Sequence, residues 1–170
     1  MKNICGFLII LISITACGGG GGSAEVRVVN YTPDLIRFDM VDSYGVDTAN
    51  SGAPLYINPS RDFGLFDVDW RVNSLEDYEV NIRINDSAGI ARSLPVYTEI
   101  CGQGRACDQS GAVICEYTSD YLLSCNNSAP EDIIRLFPYG APQSLYLILE
   151  VCDLNSSYCA YDYYPVIIER

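Results

Sequence analysis

The chain has 170 residues, of which 22 are acidic and 10 are basic, giving a formal net charge of −12, and it contains no histidine. Such an acidic chain is repelled by phosphate backbones, so we expect no nucleic-acid partner. The missing histidine excludes Ser-His-Asp and Cys-His catalysis and ordinary zinc sites, and we expect no enzymatic activity, no cofactor and no metal. Anionic headgroups would also repel the chain, so any membrane attachment must be hydrophobic or covalent.

Residues 1–16 are typical of an export signal. Lys2 supplies a positive start, and residues 7–14 form a short apolar core. That core is shorter than the roughly 20 apolar residues that a membrane-spanning helix needs. Cleavage before Cys17 would place Ile14 at the −3 position, where ordinary signal cleavage prefers a small residue.

The sequence Ile14-Thr15-Ala16-Cys17 resembles the lipobox of bacterial lipoproteins. The resemblance covers about the first 18 residues, and it implies cleavage before Cys17 and lipid attachment to its sulfur. Two or more acyl chains would give stable anchoring to a lipid bilayer. A plain secretory signal with a chance cysteine is the alternative.

The residues after Cys17 form a glycine-rich segment, 18–23, which we interpret as a flexible tether with a reach of roughly 13 Å. We therefore assign residues 17–24 to the lipidated cysteine and its tether. Gly18 stands where an aspartate favours inner-membrane retention in enteric bacteria, so the resemblance implies the outer membrane, facing the periplasm or the cell surface.

Apolar and polar residues alternate along most of the remaining chain, which predicts a mainly β fold. Many short strands predict one antiparallel two-sheet sandwich over residues 25–170, with two small sandwiches divided near residue 98 as the alternative. The candidate strands span residues 25–29, 35–41, 66–72, 78–85, 94–100, 113–117, 121–125, 133–137, 144–152 and 159–168.

The clearest two strands are 66–72 and 78–85, which are separated by the five residues Asn-Ser-Leu-Glu-Asp. We expect them to form a hairpin in which Val72 lies opposite Tyr78. In that register every apolar side chain faces an apolar partner, and a slip of one residue would destroy the agreement.

Six cysteines remain after the predicted signal and Cys17, and an even number in an exported chain predicts disulfides. Each successive pair encloses a short polar or turn-forming segment, so we expect three hairpins that are each closed by a disulfide across their own loop. The predicted bonds are Cys101–Cys107, Cys115–Cys125 and Cys152–Cys159.

The order of elements, with an early tryptophan strand and a final long hairpin, is similar to that of immunoglobulin-like and fibronectin type III domains. The resemblance implies an all-β, immunoglobulin-like sandwich of about 100 residues. The chain is longer than that, and we expect the excess in the cysteine-rich segment between Cys101 and Cys125.

Two groups of acidic residues are candidates for glycan hydrolysis or calcium binding. Asp67 and Asp69 share one face of a predicted strand, as a glycan hydrolase or a calcium site would require. The expected hairpin gives them a structural role instead, in an ion-pair network with Arg71 and Arg83. The loop 42–52 is acidic but lacks the residue order of a calcium loop, and we expect a plain connection.

Tyrosine is abundant, and the expected Cys152–Cys159 hairpin places several side chains on the face of its disulfide. They form a candidate binding patch, unless the cysteine-rich middle segment covers them. The patch consists of Tyr146, Ile148, Tyr161 and Tyr163.

These features together predict a lipid-anchored bacterial envelope protein that displays a non-catalytic β-sandwich for binding, adhesion or envelope assembly. Its expected partners are the lipid bilayer and either another envelope protein or a glycan. A carboxylate-based glycan hydrolase and a calcium-dependent binding module are the alternatives.

Overall fold

The structure is a computed structural model, and it describes residues 32–47, 54–156 and 158–170. The predicted signal, Cys17, the tether and the candidate strand 25–29 lie outside the described residues. Within the described part of the chain, no helix is both long and apolar enough to cross a membrane.

The described chain consists almost entirely of strands and their connections. A short turn at Asp62–Gly64 and a 3-10 helix at Ile134–Leu136 interrupt them. The strands are β1 (Asp34–Val41), β2 (Leu55–Ile57), β3 (Leu65–Asn73), β4 (Tyr78–Asn85), β5 (Leu94–Cys101), β6 (Ser110–Tyr117), β7 (Leu122–Cys125), β8 (Glu131–Asp132), β9 (Gln143–Asp153) and β10 (Cys159–Ile168).

The strands form two sheets that pack face to face. The first sheet has the order β1-β3-β6-β7-β8, and the second has the order β2-β10-β9-β4-β5. The adjacency of β3 with β6, and of β4 with β9 and β10, matches the B–E and C–F–G neighbours of immunoglobulin-like sandwiches. The predicted all-β, immunoglobulin-like sandwich is confirmed, and each sheet combines strands from both sides of residue 98.

The core fills the space between the sheets, and strand alternation determines which residues reach it. Phe66, Val68 and Trp70 of β3 point inwards, and so do Val80 and Ile82 of β4. All of these side chains are buried in one hydrophobic cluster that both sheets share. The predicted inward faces of these two strands are therefore confirmed.

The predicted hairpin between these two strands is wrong. β3 pairs with β1 and β6 in the first sheet, whereas β4 pairs with β5 and β9 in the second. The connection between them crosses the sandwich instead of folding the strands against each other. Packed sheets are only about 10 Å apart, so a loop of a few residues can make this crossing.

Four further details differ from the sequence prediction. Neither β2 nor the two-residue β8 was predicted. β2 pairs in parallel with the end of β10, so the second sheet is mixed rather than purely antiparallel. The candidate strand 133–137 instead contains the 3-10 helix Ile134–Leu136.

All three predicted disulfides are confirmed. Cys115 and Cys125 are partners across β6 and β7, and Cys152 and Cys159 are partners across β9 and β10. The Cys101–Cys107 bond instead closes a loop between β5 and β6, which belong to different sheets, so the expected hairpin there is wrong.

Candidate functional site

The outer face of the second sheet carries an apolar row along β10. Successive side chains of a strand point to opposite faces, so the alternate residues Tyr161, Tyr163, Pro165 and Ile167 share the outward face. The β9–β10 register places Tyr163 beside Ile148. From Tyr161 to Ile167 the row spans six residue steps, about 20 Å.

Two of the predicted patch residues expose their rings to solvent. Tyr161 is 48% exposed and Tyr163 is 42% exposed. The ring of Tyr146 meets that of Tyr163 edge to face, with centroids 5.6 Å apart, and this contact holds Tyr163 in place. Ile148 is 0% exposed, so it supports the patch from beneath and is not accessible to a ligand.

The row continues beyond β10 through two tyrosines that sequence reasoning missed. Tyr56 of β2 lies beside Ile167 of β10, and its ring is 6.2 Å from that of Tyr44 in an edge-to-face contact. The guanidinium of Arg61 stacks 5.4 Å from the centre of the Tyr44 ring. We name this surface the tyrosine ribbon: Tyr44, Tyr56, Tyr146, Tyr161, Tyr163, Pro165 and Ile167.

The charged side chains beside the ribbon compensate one another. Arg83 of β4 lies 3.6 Å from the carboxylate of Glu150, and its Nε donates a hydrogen bond of 2.6 Å to the Ser93 hydroxyl. Both partners of the ion pair are largely shielded from solvent. This pair therefore adds no net charge to the surface beside β10, although the chain as a whole is strongly acidic. At the other end of the ribbon the Tyr44 hydroxyl donates a hydrogen bond of 2.9 Å to the Glu169 carboxylate.

The loop after β4 begins next to the ribbon, because Asn85 at the end of β4 lies opposite Tyr146. The side-chain amide of Asn85 donates hydrogen bonds to the carbonyl oxygens of Gly89 and Ala91, at 2.6 and 3.2 Å. It also donates one to the Ser87 hydroxyl at 3.1 Å. These bonds hold the loop near the end of β4.

The β9–β10 hairpin that carries the ribbon depends on Asp153. One of its carboxylate oxygens accepts hydrogen bonds from the backbone N–H groups of Asn155 and Ser156, at 2.8 and 2.6 Å, and from the Ser156 hydroxyl at 2.8 Å. Burial disfavours the charged carboxylate, but these hydrogen bonds outweigh burial and hold the pKa of Asp153 below its ordinary value of 3.8.

We expect Asp153→Ala to lower the free energy of unfolding by about 1–2 kcal/mol at neutral pH, as removal of a capping aspartate does at a helix end. A lowered pKa stabilises the fold above the unfolded-state pKa, and this contribution disappears as the pH falls through the folded-state pKa. Urea unfolding at about pH 7 and about pH 3 should show the difference from wild type shrinking in acid. Asp153→Asn, which keeps one acceptor oxygen, is the matched control, and a pH-independent loss would contradict this role.

The ion-pair network predicted for Asp67 and Asp69 is wrong. Both residues lie on the outer face of the first sheet, whereas Arg83 lies in the second sheet and contacts Glu150. Within residues 32–47, 54–156 and 158–170, neither aspartate forms an ion pair. Their Cα atoms are about 7 Å apart along the strand, and both line an open cleft of ≈ 450 Å³.

This cleft lacks a feature that glycan hydrolysis requires. The general acid of a glycosidase is usually kept protonated by an apolar, buried setting. Asp67 is exposed to solvent, and Asp69 also borders the neighbouring cleft that contains Arg71. The buried carboxyl group of Asp39, which lies opposite Asp69 in the β1–β3 register, forms an ion pair with Arg37. The arrangement is suited to hydrogen bonding with a polar ligand.

Asp42, at the start of the acidic loop 42–52, has a structural role. Its carboxylate accepts hydrogen bonds from the backbone N–H groups of Tyr44, Val46 and Tyr56, at 2.9, 2.8 and 2.9 Å. These bonds connect the loop to β2 and position Tyr44 and Tyr56 in the ribbon. Residues 48–52 of the loop lie outside the described part.

Comparisons with protein-family models, with curated proteins and with solved structures each found nothing that matches this chain.

Proposed function

We propose that the protein is a lipid-anchored bacterial envelope protein whose β-sandwich binds a glycan chain along the tyrosine ribbon without catalysing a reaction. Its anchor is the acylated Cys17, and its place is the outer membrane, facing the periplasm or the cell surface. The lipobox resemblance supports the anchor. Three disulfides fit an oxidising compartment outside the cytosol.

The observation that carries the binding function is the exposed row on β10. The outward positions from Tyr161 to Ile167 are all aromatic or apolar, and two of their rings are open to solvent. A tyrosine ring offers rigid apolar area with a polar tip, which suits the apolar ring face and the surrounding hydroxyls of a sugar. An exposed row of this kind on a solvated sheet marks an interaction surface.

Shape and charge favour a glycan over a protein partner. A stable protein interface buries about 800 Å² on each side, which calls for a broad patch, whereas four of the seven ribbon residues lie in a single row on β10. A linear polymer can follow about 20 Å of strand with consecutive units. The neighbouring Arg83–Glu150 pair is internally compensated, so the surface suits an uncharged chain.

Replacing Tyr161 and Tyr163 together with alanine should weaken glycan binding at least about tenfold, or 1.4 kcal/mol. The measurement is co-sedimentation of the detergent-solubilised mature protein with purified peptidoglycan sacculi, chitin and cellulose. Tyr139→Ala is the matched control, because Tyr139 is 95% exposed and lies outside the ribbon. Its binding should equal that of wild type.

Two outcomes would contradict the proposed function. One is undiminished binding by the Tyr161/Tyr163 double variant, and the other is failure of the wild type to bind any of the three polymers. Release of soluble sugars during the incubation would instead favour the hydrolase alternative, and its dependence on Asp67 and Asp69 would then be measured.

A further inference from the structure

A further cleft lies at the end of the sandwich where β2, β6 and β10 finish and β3 begins. Leu65 lies beside Glu116 in the first sheet, and Ile57 lies beside Ile168 in the second. Residues that follow β2 and β10 line the cleft together with Glu116 of β6. The cleft has a volume of ≈ 300 Å³, at the lower end of the range for small-molecule sites. We name it the end cleft, and the residues that define it are Ser60, Phe63, Glu116, Tyr117, Thr118 and Arg170.

Phe63 is presented to solvent at the edge of the end cleft by an unusual backbone. Asp62 and Phe63 have φ values of 42° and 57°, in the left-handed region that side chains with a Cβ rarely adopt, and Gly64 follows at 74°. Such conformations persist where the surrounding structure enforces them, and they concentrate at functional sites. The result is an aromatic side chain that is 81% exposed.

The loop that carries Phe63 is held in position. The Arg61 and Gly64 N–H groups donate to the Asn58 and Arg61 carbonyl oxygens at 3.0 and 2.7 Å. A Cβ at position 64 would overlap the carbonyl oxygen of Tyr117, so only glycine allows the loop to approach β6 this closely. Phe63 is therefore fixed beside Tyr117.

One residue that lines the cleft has a hydroxyl group without a hydrogen-bond partner. The hydroxyl oxygen of the half-buried Thr118 is itself buried, and among the described residues it has no partner. Buried polar groups are nearly always hydrogen-bonded, so each exception needs an explanation. A ligand that reaches this oxygen would supply the missing partner.

The opening of the end cleft adds charged and hydroxyl groups that are free to bind. In the part of the chain that the structure describes, Glu116 and Arg170 form no ion pair. A carboxylate and a guanidinium each present two parallel hydrogen-bonding positions, which match a pair of neighbouring hydroxyls. Ser60 contributes a further hydroxyl at the same opening.

We infer that the end cleft binds a single sugar ring. The apolar face of the ring packs against Phe63, its neighbouring hydroxyls meet Glu116 and Arg170, and an inner hydroxyl reaches the side chain of Thr118. This site is separate from the tyrosine ribbon and stands on its own observations. Loss of polymer binding by ribbon variants would not count against it.

The test uses free monosaccharides with the full mature protein. Saturation-transfer NMR with glucose, galactose, mannose and N-acetylglucosamine should show binding of at least one of them. Phe63→Ala should weaken that binding at least about tenfold, and the fold should be retained because the ring is exposed. Tyr139→Ala, which removes an equally exposed aromatic ring outside the cleft, should bind like wild type.

Thr118→Val separates a binding role from a structural one. Because the hydroxyl has no partner among the described residues, its removal should leave the unliganded protein at least as stable as wild type. The same variant should bind the sugar more weakly. The inference is overturned if none of the four sugars binds, if Phe63→Ala binds as well as wild type, or if Thr118→Val retains full sugar binding.

Discussion

Gly111→Ala is expected to lower the free energy of unfolding by about 1–3 kcal/mol, the usual cost of overfilling a packed core. Gly111 lies on β6 directly opposite Trp70 of β3. A Cβ at this position would overlap three indole atoms of Trp70, Cζ2, Cε2 and Cη2. Trp70 is buried between the sheets, so neither the ring nor the backbone can move without disturbing its neighbours.

The cause of this loss can be isolated with a double-mutant cycle. Phenylalanine lacks the Cζ2 and Cη2 atoms, so Gly111→Ala should cost little in a Trp70→Phe background. The coupling energy should therefore approach the full single-mutant cost, about 1–3 kcal/mol. Gly89→Ala is the matched control, because a Cβ there meets no atom within 4 Å and the expected change is small.

Urea unfolding of the four proteins in the cycle, followed by far-ultraviolet circular dichroism, measures the coupling. Strict additivity would mean that the cost of Gly111→Ala arises from the backbone and not from the indole. That result would contradict the close packing of Trp70 on Gly111.

The sequence pattern predicted which face of each strand points into the core more reliably than it predicted which strands pair with each other. The alternation in residues 66–72 and 78–85 correctly predicts which side chains face the core, because one strand alone determines that. Asn81 and Asn85 on the opposite face of β4 are buried as well. Pairing depends on the path of the connecting loop. Since both inner faces of a sandwich are apolar, two such strands satisfy the pattern equally well as a hairpin or in opposite sheets.

The disulfides were predictable for a different reason. Short cysteine spacings leave few geometric choices, and Cys115 with Cys125 and Cys152 with Cys159 are direct cross-strand neighbours. The second of these pairs also sets the register of β10 on β9. It therefore determines that Tyr161 and Tyr163 share a face with Tyr146.

The remaining site residues depend on contacts that local patterns do not encode. Tyr44 and Tyr56 join the ribbon because β2 pairs in parallel with β10, over more than 100 residues of chain. Phe63 is exposed because two residues with side chains adopt the left-handed region. Gly64 was the only local signal, since a glycine in a connecting segment permits such a turn.

Cys17→Ser is expected to abolish lipid anchoring. In wild type, cleavage before Cys17 and acylation of its sulfur should place the protein in the membrane fraction, because two or more acyl chains give stable attachment where one does not. Serine cannot form the thioether, so the variant should keep its signal segment and carry no acyl mass. Intact mass spectrometry of the membrane and soluble fractions measures both changes.

The chain offers a control and an internal check for this experiment. Cys5 lies within the predicted signal, so Cys5→Ser should yield a mature protein of unchanged mass. Reduction should add two hydrogens for each of the three disulfides. A wild-type protein that retains residues 1–16 without acylation would contradict the anchor while leaving the tyrosine ribbon and the end cleft intact, since both belong to the folded sandwich.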